Sequence, residues 1–283
     1  VLIAAAAVVV LLAFGRTVQK PGTKPAATIT GSNQGEMAGD QQEMIAGFSI
    51  DTALTLSKKE LNADQVLRLE LLEKSITRGD VKKQQIAIYH QLAHFWRDTA
   101  RAFIPFAWYT AQSARLENSE KNLNFAGQLF LNQLPQQENE PQRHWMAEQA
   151  KDLFEKVLVL NPANDSAKVG LGATYLYGGL GSPMEGIGKI REVVEKDSTN
   201  VYAQMTLATA SLMSGQKEKA KERLETVLTI QPQNLQAILM LGDLYEKDGN
   251  KSQAIELYAK AAKLVQRKDL KDELEKRIEE LKK

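Results

Sequence analysis

The sequence predicts an all-α fold built from a stack of short helix pairs. Three observations carry that prediction. Small and large apolar residues recur with a period of about 34 residues toward the C-terminus. Glycine falls where the two helices of a pair would turn, and proline falls where the second helix would stop. The bulk composition, 43% hydrophobic and 25% charged, is that of a folded chain rather than a disordered one. The same figures exclude several function classes. A net charge of +1 argues against a protein that coats nucleic acid. The absence of cysteine removes thiolate metal sites, iron–sulfur clusters and cysteine nucleophiles.

Residues 1–14 contain no polar side chain. As a helix they would span ~21 Å, short of a ~30 Å hydrocarbon core, so a few further apolar residues ahead of Val1 would complete a span. The segment reads as a truncated transmembrane anchor. The alternative is a signal-peptide core, cleaved near Ala13, Phe14 and Gly15. Arg16, Lys20 and Lys24 follow with no acid before Glu36, which taken alone leans toward a cytoplasmic C-terminal side. Residues 15–47 are rich in Gly, Ser, Thr, Gln, Ala and Pro and read as a flexible polar tether.

Residues 48–85 read as N-terminal capping helices, one around 51–61 and one over 64–77 carrying Val66, Leu67, Leu69, Leu71 and Leu72 and stopped by Gly79. Residues 86–268 divide into about five units: 86–119, 120–164, 165–200, 201–234 and 235–268. The last has Leu241, Gly242, Tyr245, Ala254, Tyr258 and Ala261. The one before keeps Leu207, Ala220 and Pro232, with Ser211 in place of tyrosine. Unit 165–200 has Leu171, Gly172 and Tyr175, then Ile190 and Val193. Unit 120–164 has Leu123, Ala126, Gly127 and Phe130, then Ala150, Phe154 and Val157, with an insertion around 133–143. The first unit has Tyr89, Leu92, Ala93 and Trp96, then Ala107, Ala111 and Ala114. Small residues fall where helices approach closely and large ones fill the space beside them. Residues 269–283 form a C-terminal capping helix, with Asp269 at its N-cap and Leu270, Leu274, Ile278 and Leu281 on one face.

These spacings resemble the tetratricopeptide repeat (TPR), whose signature is Trp-x2-Leu-Gly-x2-Tyr, Ala-x3-Phe and Pro. The resemblance implies a right-handed helical solenoid with a concave, ligand-binding groove. The layout as a whole is similar to membrane-anchored TPR proteins of Gram-negative bacteria. That likeness puts the repeats on the periplasmic face, or in the periplasm or medium if the first segment is cleaved.

By the same resemblance, ligands contact positions 2, 5, 9, 12 and 13 of each first helix. His90, His94, Asn124 and Gln128 would line a polar end of the groove. Val169, Ala173, Tyr177, Tyr202, Met205, Leu212 and Met213 would line an apolar end suited to adaptable binding of a peptide or helix. The alternative is that internal packing, or another piece of the chain, fills that end. The lysine and asparagine with which chaperone-binding TPR proteins clamp a terminal carboxylate are not matched at these positions.

No catalytic, cofactor or metal site is predicted. His90 and His94 stand four apart on one helix, but Gln91 occupies the place where a zinc hydrolase needs its glutamate. The stretch around Gly179–Lys189 has Pro183 and Ile190 where a phosphate loop requires Gly and Ser or Thr. Its Ser182 and Glu185 fit a capping box instead. The expected function is a non-enzymatic scaffold that docks a protein or peptide partner, held at the membrane by its N-terminal segment and without nucleic acid. By analogy it would serve an export, envelope-assembly or cytochrome-maturation complex. A self-assembling homo-oligomer is the alternative.

Overall fold

The structure is a computed structural model that describes residues 48–76 and 81–283. The anchor or signal segment 1–14 and the tether 15–47 lie outside the described residues. All regular structure among the described residues is helical. No helix among them is long and apolar enough to cross a membrane. They fall into two compact units, one within 34–196 and one within 197–283.

The first unit opens with α1 (Ile50–Lys59) and α2 (Ala63–Ile76). Three pairs follow: α3 (Lys82–His94) with α4 (Phe103–Glu117), α5 (Glu120–Leu131) with α6 (Glu140–Leu160), and α7 (Asp165–Gly178) with α8 (Pro183–Lys196). A single π-helical turn, Phe95–Thr99, extends α3. Its wider turn lets the adjoining rings of Phe95 and Trp96 both enter the core, where they meet Leu69, Leu92 and Tyr109. The repeat signature does not foretell this turn. The insertion 133–143 forms a short 3-10 turn, Leu134–Gln136, and the start of α6, which Asn139 caps through its side chain. Phe48, Trp108 and Phe130 gather around Trp145 with ring centroids 5.1, 6.0 and 5.7 Å away.

Two devices set the packing of the pairs. The Phe154 ring of α6 lies against Gly127 of α5 and Gly170 of α7, and a methyl group at Gly170 would stand 2.5 Å from it. Gly172 of α7 and Gly186 of α8 meet backbone to backbone, so a methyl group at Gly186 would lie 2.3 Å from the Gly172 carbonyl oxygen. Glu120, at the start of α5, accepts from the side-chain amides of Asn161 and Asn164 at 2.9 and 2.8 Å. Those bonds hold its carboxyl below the usual range.

The second unit pairs α9 (Val201–Met213) with α10 (Lys217–Ile230) and α11 (Leu235–Lys247) with α12 (Lys251–Leu264). Asn200 and Asn234 cap α9 and α11 through their side chains, as Asn164 caps α7 in the first unit. The turn is thus the same chemistry repeated: a helix stop, then an asparagine oxygen meeting an otherwise orphaned N–H.

The closing helix α13 (Lys268–Leu281) buries Leu270, Leu274 and Ile278 as expected. Its N-cap is Arg267, so Asp269 sits in the first turn rather than at the cap. A polar network fixes it to the last pair. The Tyr258 hydroxyl lies 2.6 Å from Asp243 and 2.8 Å from Glu246. One hydroxyl proton cannot satisfy both carboxylates, and Arg277 of α13 donates to Glu246 at 2.7 Å. Burial first, then the Asp243 bond, pushes the Tyr258 phenol far up.

One further expectation needs correction. Ser182 and Glu185 do not form a capping box. The Ser182 hydroxyl accepts from the Met184 N–H at 3.3 Å, and the Glu185 N–H donates to the Ser182 carbonyl. Pro183 opens α8 and supplies no N–H, so the hydroxyl meets the next one along.

Candidate functional site

The structure distributes the predicted groove residues unevenly. Val169 is 0% exposed and Ala173 is likewise buried, so both are packing residues of α7 rather than groove lining. The reason is steric: small and β-branched side chains on the first helix vanish wherever neighbouring helices approach closely. Met205 is also buried, at 9% exposure, in a core with Ala208, Ala220, Leu224 and Leu241. Tyr177 in the first unit and Tyr202 and Leu212 in the second are half-buried. Met213, at the end of α9, is 63% exposed.

This contrast makes a prediction within one helix. Met205→Ser is expected to cost the 197–283 unit about 2 kcal/mol or more through lost packing, whereas Met213→Ser stays within about 0.5 kcal/mol. Denaturant midpoints of the two variants check it. Equal midpoints would show that Met205 faces solvent after all.

The polar end is different. His90 and His94 are exposed, and they border a cleft of 180 Å³ between α3, α4 and α5. Its origin lies in the helix stacking. Helix α5 packs against α7 directly, but it is joined to α3 through α4. The gap so left is floored by Phe106, Thr110 and Ala114 of α4 and walled by Asn122 and Phe125 of α5. Phe125 is 52% exposed, a large apolar side chain left in water. Arg97, on the π turn, stacks over the Phe106 ring at 5.8 Å.

Hydrogen bonds define the polarity of the rim. His90 Nε2 lies 2.5 Å from Glu117 Oε1, and Asn122 Nδ2 donates to the other Glu117 oxygen. Glu117 therefore ties α3 to α5 from the end of α4. Arg97 donates from Nε and Nη2 to the two Asp98 oxygens at 2.7 and 3.0 Å. That bond pulls the Asp98 carboxyl down to about 2. Arg97 Nη2 also lies 2.8 Å from His94 Nδ1. The same His94 Nδ1 lies 3.3 Å from Asp98 Oδ2. The rim acids thus have their partners, while Arg97 Nη1 and His94 Nε2 have none among the described residues.

Asn124 and Gln128 are half-buried on the other flank of α5, where Asn124 Nδ2 donates to Ser166 of α7 at 3.2 Å and its Oδ1 is buried without a partner. They belong to a different side of the helix from the cleft. Among the described residues no cluster of three or more His, Asp or Glu could hold a metal ion.

Sequence reasoning missed Phe125, Phe106 and Glu117. Phe125 carried a legible signal. It is apolar, yet it stands off the stripe of Leu123, Ala126, Gly127 and Phe130 that α5 buries.

A sequence profile of the tetratricopeptide repeat matches residues 215–271. No curated protein matches by sequence. Among solved structures, a tetratricopeptide repeat protein from Parabacteroides merdae is similar, with 15% identity and a TM-score of 0.52, over 86% of this chain and 87% of its own. MamA from Desulfovibrio magneticus matches with 20% identity and a TM-score of 0.43, over 63% of this chain and 94% of its own. TTC0263 from Thermus thermophilus matches with 15% identity and a TM-score of 0.49, over 71% and 98%. Residues 215–271 thus match the tetratricopeptide repeat, and the described residues have the all-helical repeat fold of such proteins.

Proposed function

We propose that this chain is a membrane-tethered interaction scaffold that docks a segment of a protein partner in the cleft between α3, α4 and α5. The observation that carries the reading is the exposed Phe125, beside an open cleft whose rim offers an unused hydrogen-bond donor. An apolar anchor ringed by polar groups is how compact interfaces obtain most of their energy. The apolar segment 1–14 supports tethering, and residues 15–47 are polar enough to serve as the linker. Confinement at a membrane surface would raise the effective concentration of partner and cleft.

Two measurements test the reading. The full chain is expected to stay with membranes through a carbonate wash; its release would remove the tether from the reading. A photo-crosslinking side chain placed at position 125 is expected to capture a partner in native membranes. The same group at Val159, 83% exposed on α6, is not. Equal capture at both positions would show nonspecific contact and overturn the docking site.

A further inference from the structure

We infer that the cleft takes an internal peptide segment in which a bulky apolar side chain adjoins an acidic one. The inference rests on the docking function just proposed and names the chemistry of its ligand.

Size comes first. At 180 Å³ the cleft is smaller than the roughly 300–1,000 Å³ of pockets that enclose a whole small molecule. It suits one large side chain. Its floor and walls carry Phe106, Ala114 and Phe125 beside the polar Thr110, Ser113 and Asn122, so two rings stand ready to meet an apolar side chain. An aromatic or leucine side chain seated there would remove Phe125 from water and exclude water from the Phe106 face.

Charge comes second. Both rim acids are engaged inside the protein: Glu117 by His90 and Asn122, Asp98 by Arg97 and His94. The group left over is a donor, the Nη1 of Arg97. A ligand that completes this rim must bring an acceptor, and a carboxylate makes the strongest bond to a guanidinium. A lysine or arginine in the ligand would meet Arg97 with no uncommitted acid to receive it.

The local backbone gives independent support. The segment that carries Arg97 gathers three irregularities: the π turn Phe95–Thr99, the left-handed Arg101 with φ 54°, and the buried Trp96 Nε1 without a partner. Departures of this kind are costly and concentrate where a protein recognises something. Arg97, on that π turn, lines the cleft.

The test uses the full chain in detergent and a fluorescein-labelled glycine–serine peptide, blocked at both ends, with a central Asp-Phe pair. Binding followed by anisotropy is expected to saturate. It should weaken at least tenfold when the peptide carries Asn-Phe, Asp-Ala or Lys-Phe instead. It should also weaken at least tenfold for Phe125→Ala and for Arg97→Gln, both at exposed positions, with the helical signal unchanged. Equal affinity for the Asp-Phe and Asn-Phe peptides, preference for Lys-Phe, or no binding of Asp-Phe would overturn the inference. So would tighter binding of a peptide ending in a free phenylalanine carboxylate, because the ligand would then be a chain terminus. Partner capture at position 125 that survives any of these results would retain the scaffold and discard only this ligand chemistry. Loss of capture as well would discard both.

Discussion

Phe154→Ala is expected to cost the 34–196 unit about 3–5 kcal/mol, the range for deleting a fully buried phenylalanine. The ring lies between α5 and α7, and two glycines have given up their side chains to admit it. Helices α5 and α7 cannot close over the space without moving α6, so the cavity should persist. The test lies in a double variant. Gly170→Ala alone should overpack against the ring, since the added methyl would stand 2.5 Å from it. Combined with Phe154→Ala, the same methyl should partly fill the hole and recover stability. Additive losses in a denaturant titration would mean that ring and glycine do not share one space.

Gly186→Ala is expected to be the second most damaging change, at about 2–3 kcal/mol. The obstacle is backbone on the facing helix: the Gly172 carbonyl lies 2.3 Å from the new methyl, with Tyr175 Cβ at 2.9 Å. A flexible side chain could step aside, but a carbonyl inside α7 cannot. Gly188 is the control in the same helix. A methyl there meets nothing within 4 Å, so Gly188→Ala should gain about 0.5–1 kcal/mol from helix propensity. The two substitutions, two residues apart, should move the denaturation midpoint in opposite directions. Movement in the same direction would overturn the packing of α7 on α8.

The repeat architecture was legible in the sequence because its rules are local. Tyr258 and Ala254 fall at fixed spacings from Leu241, and the stripe Leu270, Leu274 and Ile278 announces a helix with one apolar face. The asparagines at 164, 200 and 234 occupy equivalent turns and do one job. The site was half legible. His90 and His94 share helix α3, as their spacing indicates, and both are exposed there. Phe106 carried no such signal, and the off-stripe position of Phe125 marks an exposed ring but not a cleft, which depends on how far α3 stands from α5. That spacing follows from α4 lying between them, and the residue pattern along α5 does not encode it. Val169, Ala173 and Met205 show the converse. A repeat register says which positions face the neighbouring first helix, but not whether water reaches them.

The aromatic cluster around Trp145 has a practical consequence for every stability measurement above. The chain has three tryptophans, and Trp96, Trp108 and Trp145 all lie in the 34–196 unit. Indole emission is therefore blind to residues 197–283, while far-ultraviolet circular dichroism sums the helices of both units. Phe154→Ala and Gly186→Ala should be read by fluorescence, and Met205→Ser by circular dichroism. Superimposable transitions from the two probes would mean that the units melt together. A dichroism change at denaturant concentrations where the emission is flat would give the 197–283 unit a free energy of its own, with the tryptophans serving as an internal blank.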